Sequence, residues 1–203
     1  MIEIIDYGMG NLRSVQKALE RAGADARFCT DPAKLSNASA VVLPGVGAFA
    51  DAAAEMRRTG FDDAVRSFVD SGRPFFGICL GLQLLFDESD EGGRHEGLGI
   101  IPGRVVRFES QPGLKIPHMG WNTVSHRESH PLLNAVPDGE HFYFVHSHFV
   151  RPANDSDVAL TVEHGGEVCA AVARDNVFAT QFHPEKSQDA GRRLLEAFVA
   201  SAK

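Results

Sequence analysis

Pro74-Phe75-Phe76-Gly77-Ile78-Cys79-Leu80-Gly81-Leu82-Gln83-Leu84-Leu85-Phe86 is the stretch whose reading decides the fold. Pro74 to Ile78 is a short, continuous apolar run, the pattern of a strand covered on both faces. Leu80 to Phe86 then reads as a helix that starts with no loop before it. A buried strand passing straight into a helix belongs to α/β architecture, with helices on both sides of a parallel sheet.

The same alternation recurs toward the N-terminus. Ile2 to Asp6 is an apolar run ending in turn residues. Leu12, Val15, Ala18, Leu19 and Ala22 recur at helical spacing, and Gly23 stands where a helix would stop. Ala26 to Cys29 and Ala40 to Leu43 are strand candidates, the second closed by Pro44 and Gly45. Ala50 to Arg58 and Phe61 to Asp70 read as helices parted by Gly60. Beyond about position 104 the texture changes. Val105 to Phe108, His141 to Val145, Val158 to Val162, Val168 to Val172 and Val177 to Gln181 look like strands with little helix between them. The last helix runs from Gln188 to Ala200, with Leu194, Leu195, Phe198 and Val199 on its apolar face. The expected fold is an α/β sheet, mixed but mainly parallel, flanked by helices, with antiparallel strands in the C-terminal half. With 203 residues and no repeats or low-complexity linkers, one domain over 1–203 is expected.

Composition narrows the function classes. The formal net charge is −7 and the basic residues are scattered, which argues against a surface that tracks nucleic-acid phosphates. Nothing reads as a membrane span, and MIEIIDYGMG goes into a strand pattern without a basic leader. Cys29, Cys79 and Cys169 have no CxxC spacing, so a reducing, cytoplasmic setting is expected.

The chemistry concentrates in Gly77-Ile78-Cys79-Leu80-Gly81, a nucleophile elbow (G-x-Nuc-x-G) with cysteine in the nucleophile's place. A nucleophile on a strained turn needs small neighbours two residues away. The helix behind it aims N–H groups and partial positive charge at the sulfur, which favours thiolate. Cys29 and Cys169 lie in apolar strand patterns without flanking glycines and read as structural. A nucleophilic cysteine needs a base, and the base an orienting group. His183, in Gln181-Phe182-His183-Pro184-Glu185, follows a strand at the end where open α/β sheets bind ligands. If the segment is extended, Glu185 points the same way as His183 and selects its tautomer. Leu43-Pro44-Gly45-Val46-Gly47 lies between strand and helix, and its glycines let N–H groups approach a developing oxyanion. One such donor is worth about a hundred- to a thousandfold in rate.

Other motifs fall short. Gly8-Met9-Gly10 starts a dinucleotide fingerprint, but Arg13 breaks it. His141, His146 and His148 match no standard metal-ligand spacing. No GxSxG is present. No metal or cofactor is therefore expected.

In order, PGVG, GICLG and HPE resemble the class I (triad) glutamine amidotransferases. Asp6-Tyr7-Gly8-Met9-Gly10-Asn11-Leu12, Lys115-Ile116-Pro117-His118-Met119-Gly120-Trp121-Asn122, Tyr143-Phe144-Val145-His146-Ser147 and His183-Pro184-Glu185-Lys186-Ser187 narrow the resemblance to one branch, the glutaminase subunits of imidazole glycerol phosphate synthase. It covers nearly the whole chain; His148 departs from a position often held by tyrosine. The resemblance implies hydrolysis of L-glutamine by Cys79, His183 and Glu185. It implies backbone oxyanion donors at Val46 and Leu80, and glutamine binding by Gly47, Gln83, Glu91 and the His146-Ser147 segment. It implies a heterodimer with a (βα)₈-barrel cyclase that receives the ammonia for histidine biosynthesis. It further implies that the PGVG loop takes up its donor geometry mainly when the partner holds its ligand. Trp121 and Met119 are candidate partner anchors, and Lys186 a further contact. The readings weighed against this one are a class I glutaminase of another pathway, such as pyridoxal phosphate, purine or anthranilate synthesis, and a non-catalytic regulatory subunit of the same fold.

Overall fold

The computed structural model describes residues 1–202. Its first half runs β1 (Ile2–Ile5), α1 (Leu12–Arg21), β2 (Ala26–Cys29), β3 (Ala40–Gly45), α2 (Phe49–Thr59), α3 (Phe61–Asp70), β4 (Phe75–Cys79), α4 (Leu80–Gln83), β5 (Phe86–Ser89), β6 (His95–Glu96) and β7 (Ile101–Arg107). Then come β8 (His118–His126), β9 (His141–His146), β10 (His148–Pro152), β11 (Val158–Glu163), β12 (Glu167–Arg174), β13 (Val177–Thr180) and α5 (Gln188–Ser201).

A nine-stranded sheet has the order β2-β1-β3-β4-β13-β12-β11-β8-β9. It is parallel from β2 to β13 and antiparallel from β13 out to β9. Alternate residues of the parallel strands enter two cores, as a doubly covered sheet requires. Ala40, Val42, Phe76, Ile78 and Phe178 pack with Val15 and Leu19 of α1 and Leu194, Leu195 and Phe198 of α5. Val41, Leu43, Phe75, Val177 and Ala179 pack with Phe49 and Met56 of α2 and Phe61, Val65 and Phe68 of α3. Gly60, at φ 78°, ends α2 and starts α3 in a left-handed conformation that glycine adopts without penalty.

Two expectations are corrected. The helix after Cys79 stops at Gln83 instead of reaching Phe86. Chain distant in sequence takes over the next carbonyls: Leu98 N–H donates to Leu84 O (2.8 Å) and Ile101 N–H to Leu85 O (2.9 Å). Phe86 then opens β5, and pairing with β6 and β7 decides it. The added strands also do not all join the main sheet. β10-β7-β5-β6 form a separate four-stranded sheet, and Phe86, Ile101, Val105 and Val150 cover the α2/α3 core. His118 to Asn122 of the PHMGWN segment, given no strand from its sequence, lie in β8 and pair with β9, while β11 pairs with the same strand further on, at Val124 to His126.

Candidate active site

Three neighbouring parallel strands end together. Gly45 of β3 pairs with Cys79 of β4, and Ile78 of β4 pairs with Thr180 of β13. The chain therefore delivers the PGVG loop, Cys79 and the segment leading to His183 to one rim of the sheet.

Cys79 sits at φ 56°, ψ −110°, a conformation that costs a non-glycine residue energy and is held only by its surroundings. The flanking glycines make that turn possible. A Cβ on Gly81 would lie 1.8 Å from Leu43 O, and one on Gly77 would lie 2.9 Å from Ala179 Cβ. A Cβ on Gly45 would meet the Tyr7 hydroxyl at 2.8 Å and Leu80 Cβ at 2.9 Å. The elbow is thus packed backbone to backbone against β3, and no side chain fits between.

His183 is buried, and its N–H donates to Tyr143 O (3.0 Å) on β9. Its Nδ1 lies 2.8 Å from Glu185 Oε1, with both side chains at most 3% exposed. The segment is not extended as expected: Pro184–Lys186 form a single 3-10 turn closed by Lys186 N–H to His183 O at 3.0 Å. The turn still brings Glu185 back to the ring. Ser187 Oγ–H donates to His183 O (2.7 Å), and α5 packs so closely that a Cβ on Gly191 would lie 1.8 Å from Pro184 O. Burial works against the charged imidazolium, but the Cys79 sulfur and the Glu185 carboxylate outweigh it, and the His183 pKa is raised to about 9. Nε2 is buried without a hydrogen bond of good geometry, so its proton is available to the sulfur and to whatever reacts there. The other two cysteines are buried as well. Burial raises the Cys169 thiol to about 12 and raises Cys29 as well, which keeps both protonated and inert.

Val46 follows Gly45 and is 40% exposed, and Leu80 opens α4 directly after the sulfur-bearing residue. Gly47 has φ 103°, which favours glycine. Glu91 lies beside this loop: its Oε2 accepts the Phe49 N–H at the start of α2 (2.9 Å), and its Oε1 is 3.8 Å from His148 Nδ1. Gln83 is buried, and its Nε2 donates to His148 O (3.1 Å) and to Gln181 Oε1 (3.0 Å).

His146 is not open toward a pocket through its ring. Its Nδ1 is 2.8 Å from His148 O, and its Nε2 is 3.0 Å from His118 Nδ1. His118 Nε2 is in turn 3.0 Å from Asn122 Nδ2. A carbonyl only accepts, so the proton on His146 is at Nδ1, and His118 must donate into His146 Nε2. Ser147 joins β9 to β10, and its carbonyl accepts the Phe108 N–H at 3.1 Å.

The sequence reading missed Gln181 and Tyr7. Gln181 is fully buried, and its Nε2 donates to Cys79 Sγ at 3.7 Å. A period-two reading from His183 would have pointed to it. Tyr7 is buried beside Gly45, its hydroxyl has no partner, and its pKa is raised by burial and by the nearby Cys79. Among the described residues no group of three or more His, Cys, Asp or Glu could hold a metal ion.

The glutamine amidotransferase class-I family model matches residues 3–202, and the chain belongs to that family. It is 55% identical over 201 residues to imidazole glycerol phosphate synthase subunit HisH of Rhodopirellula baltica, covering 99% of this chain and 98% of that protein. It is 56% identical to the protein of the same name from Syntrophotalea carbinolica, covering 98% of each. Among solved structures, a glutamine amidotransferase (TM-score 0.77, 23% identity, covering 99% of this chain and 98% of that one) and PurLQS from Thermotoga maritima (0.77, 21%, covering 100% and 98%) share the fold.

Proposed function

We propose that this chain is the glutaminase subunit of an imidazole glycerol phosphate synthase, hydrolysing L-glutamine to L-glutamate and ammonia. The observation that carries the reading is the buried Cys79–His183–Glu185 constellation at the ends of adjacent strands. The Cys79 thiolate attacks the side-chain amide carbon. The oxyanion is met by the N–H groups of Val46 and Leu80. His183 gives its Nε2 proton to the departing ammonia, leaving a thioester. The same nitrogen then takes a proton from water, which releases glutamate. Glu185 holds the tautomer and offsets the imidazolium charge. Gln83 and Glu91 bind the glutamine, and Gly47 and the His146-Ser147 segment hold its amino-acid end.

The ammonia passes to a (βα)₈-barrel cyclase subunit in a heterodimer, for L-histidine biosynthesis in the cytoplasm. Support comes from the names of the relatives and from an unusual surface. Met119 and Trp121 on β8 are 63% and 47% exposed, and Trp121 packs edge-on against Tyr143 at 6.2 Å between ring centres. Tyr143 O holds the His183 N–H, so this surface adjoins the site. Exposed aromatics of this kind anchor interface cores. Among the described residues no helix is long and apolar enough to cross a membrane.

The test is a Cys79→Ala variant assayed alone and with the cyclase. Glutamine hydrolysis disappears, while ammonium salts still support the partner's reaction; retained hydrolysis would sink the assignment. The PGVG loop reaches its donor geometry when the partner holds its nucleotide, so glutamine turnover by the complex rises when nucleotide is added. Equal rates with and without it argue against that coupling.

A further inference from the structure

We propose that the side-chain amide of Gln181 is a catalytic hydrogen-bond donor to the Cys79 sulfur, held in that orientation by Gln83. The proposal deepens the glutaminase reading and rests on Cys79 being the nucleophile.

The direction of the amide follows from what each partner can do. The carbonyl of His148 is an acceptor only, so the Gln83 group facing it at 3.1 Å is the NH₂. That same NH₂ lies 3.0 Å from Gln181, which must therefore present its oxygen to Gln83. Its own NH₂ then has one direction left, toward Cys79 Sγ at 3.7 Å. Rotating the amide would set two NH₂ groups against each other and leave an oxygen facing the sulfur, all in a fully buried place. The main chain gives no slack, because Gln181 N–H donates to Ala170 O at 2.8 Å. His148 O is itself fixed by His146 Nδ1 at 2.8 Å.

A donor in that position favours negative charge on sulfur. Sulfur carries that charge twice in the cycle: before attack, and when it leaves the tetrahedral adduct formed by water on the thioester. His183 can serve the sulfur only while it is protonated. Having given its proton to ammonia, it is neutral when water arrives and regains a proton only from that water. The Gln181 donor needs no proton transfer and stays in place throughout.

The test reads the sulfur without any substrate. Alkylation of Cys79 by iodoacetamide is followed from pH 5 to 10 on the full chain, with Cys79→Ala as the background. Gln181→Met removes the donor at similar length. Gln181→Glu keeps the shape and the hydrogen bond from Gln83 but turns an oxygen to the sulfur. Folding is checked by the thermal unfolding midpoint. The pH profile moves up by about half a unit or more in Gln181→Met and about one unit in Gln181→Glu. If Gln181→Met is folded and its profile overlies the wild type, the donor role is overturned, even if the charged variant shifts. If Gln181→Met does not fold, an unshifted profile in the isosteric Gln181→Glu overturns it instead. Failure of the glutaminase reading would show separately, as absence of glutamine hydrolysis by the wild-type complex.

Discussion

His118 Nδ1 and His146 Nε2 face each other at 3.0 Å in the interior, and only His118 can hold the proton between them. A further proton on His146 would set two N–H groups head to head. Burial accordingly pulls His118 down to about 4, with the stacked His164 adding to it, and burial pulls His146 down to about 3. Both are neutral in the folded protein at neutral pH. In the unfolded chain they protonate near pH 6.5. The unfolded state therefore binds more protons below that pH, and stability is lost as pH falls from about 6.5 toward 4. Calorimetry at pH 7.5 and 5 should show a clear drop in the unfolding midpoint. His146→Gln should flatten that dependence; an unchanged slope would mean other groups carry it.

Glu185 has one oxygen on His183 and the other buried without a partner. Glu185→Gln keeps the volume but removes the charge that offsets the imidazolium. The amide oxygen can still accept from Nδ1–H, so what changes is the charge. Glutamine hydrolysis should fall by about a hundredfold or more, mainly in kcat, because the charge that keeps the base protonated is lost while substrate contacts remain. A change confined to KM would place Glu185 outside the proton transfer.

Gly81 is fixed by the carbonyl of Leu43, 1.8 Å from where a Cβ would stand. No side-chain rotation relieves a clash with backbone, so Gly81→Ala must push α4 away from β3. A loss of about 3 kcal/mol in urea unfolding is expected, at the upper end of overpacking costs. Cys79 alkylation should fall with it, since the elbow no longer keeps its shape.

Glu91 joins two parts of the site: it accepts the Phe49 N–H at the first turn of α2 and faces His148. Glu91→Ala removes a negative cap at a helix N-terminus, worth about 1 kcal/mol. It also removes a carboxylate beside the PGVG loop. KM for glutamine should rise by about tenfold, the equivalent of about 1.4 kcal/mol of binding, with kcat changed less. A kcat loss at constant KM would contradict a binding role.

The strands and helices around Cys79 were readable because burial on two faces leaves unbroken apolar runs, and because Gly60 and Gly81 mark points where only glycine fits. The segment from Leu84 to Phe86 misled, since an apolar triplet suits helix and strand alike and distant carbonyl partners made the choice. His118 to His126 gave no strand signal. Its Met119 and Trp121 are exposed apolar residues where an isolated strand would show polar ones.

The amino-acid order by itself determined the strained cysteine turn, the histidine and acid two residues apart, and hence the chemistry, because local backbone sterics and residue type suffice for those. Which way the amide of Gln181 points, which nitrogen of His118 and His146 holds its proton, and that Glu91 touches α2 were decided only by the tertiary structure. Those facts depend on acceptors supplied by chain tens of residues away, and a hydrogen bond's direction is set by what the far partner can accept.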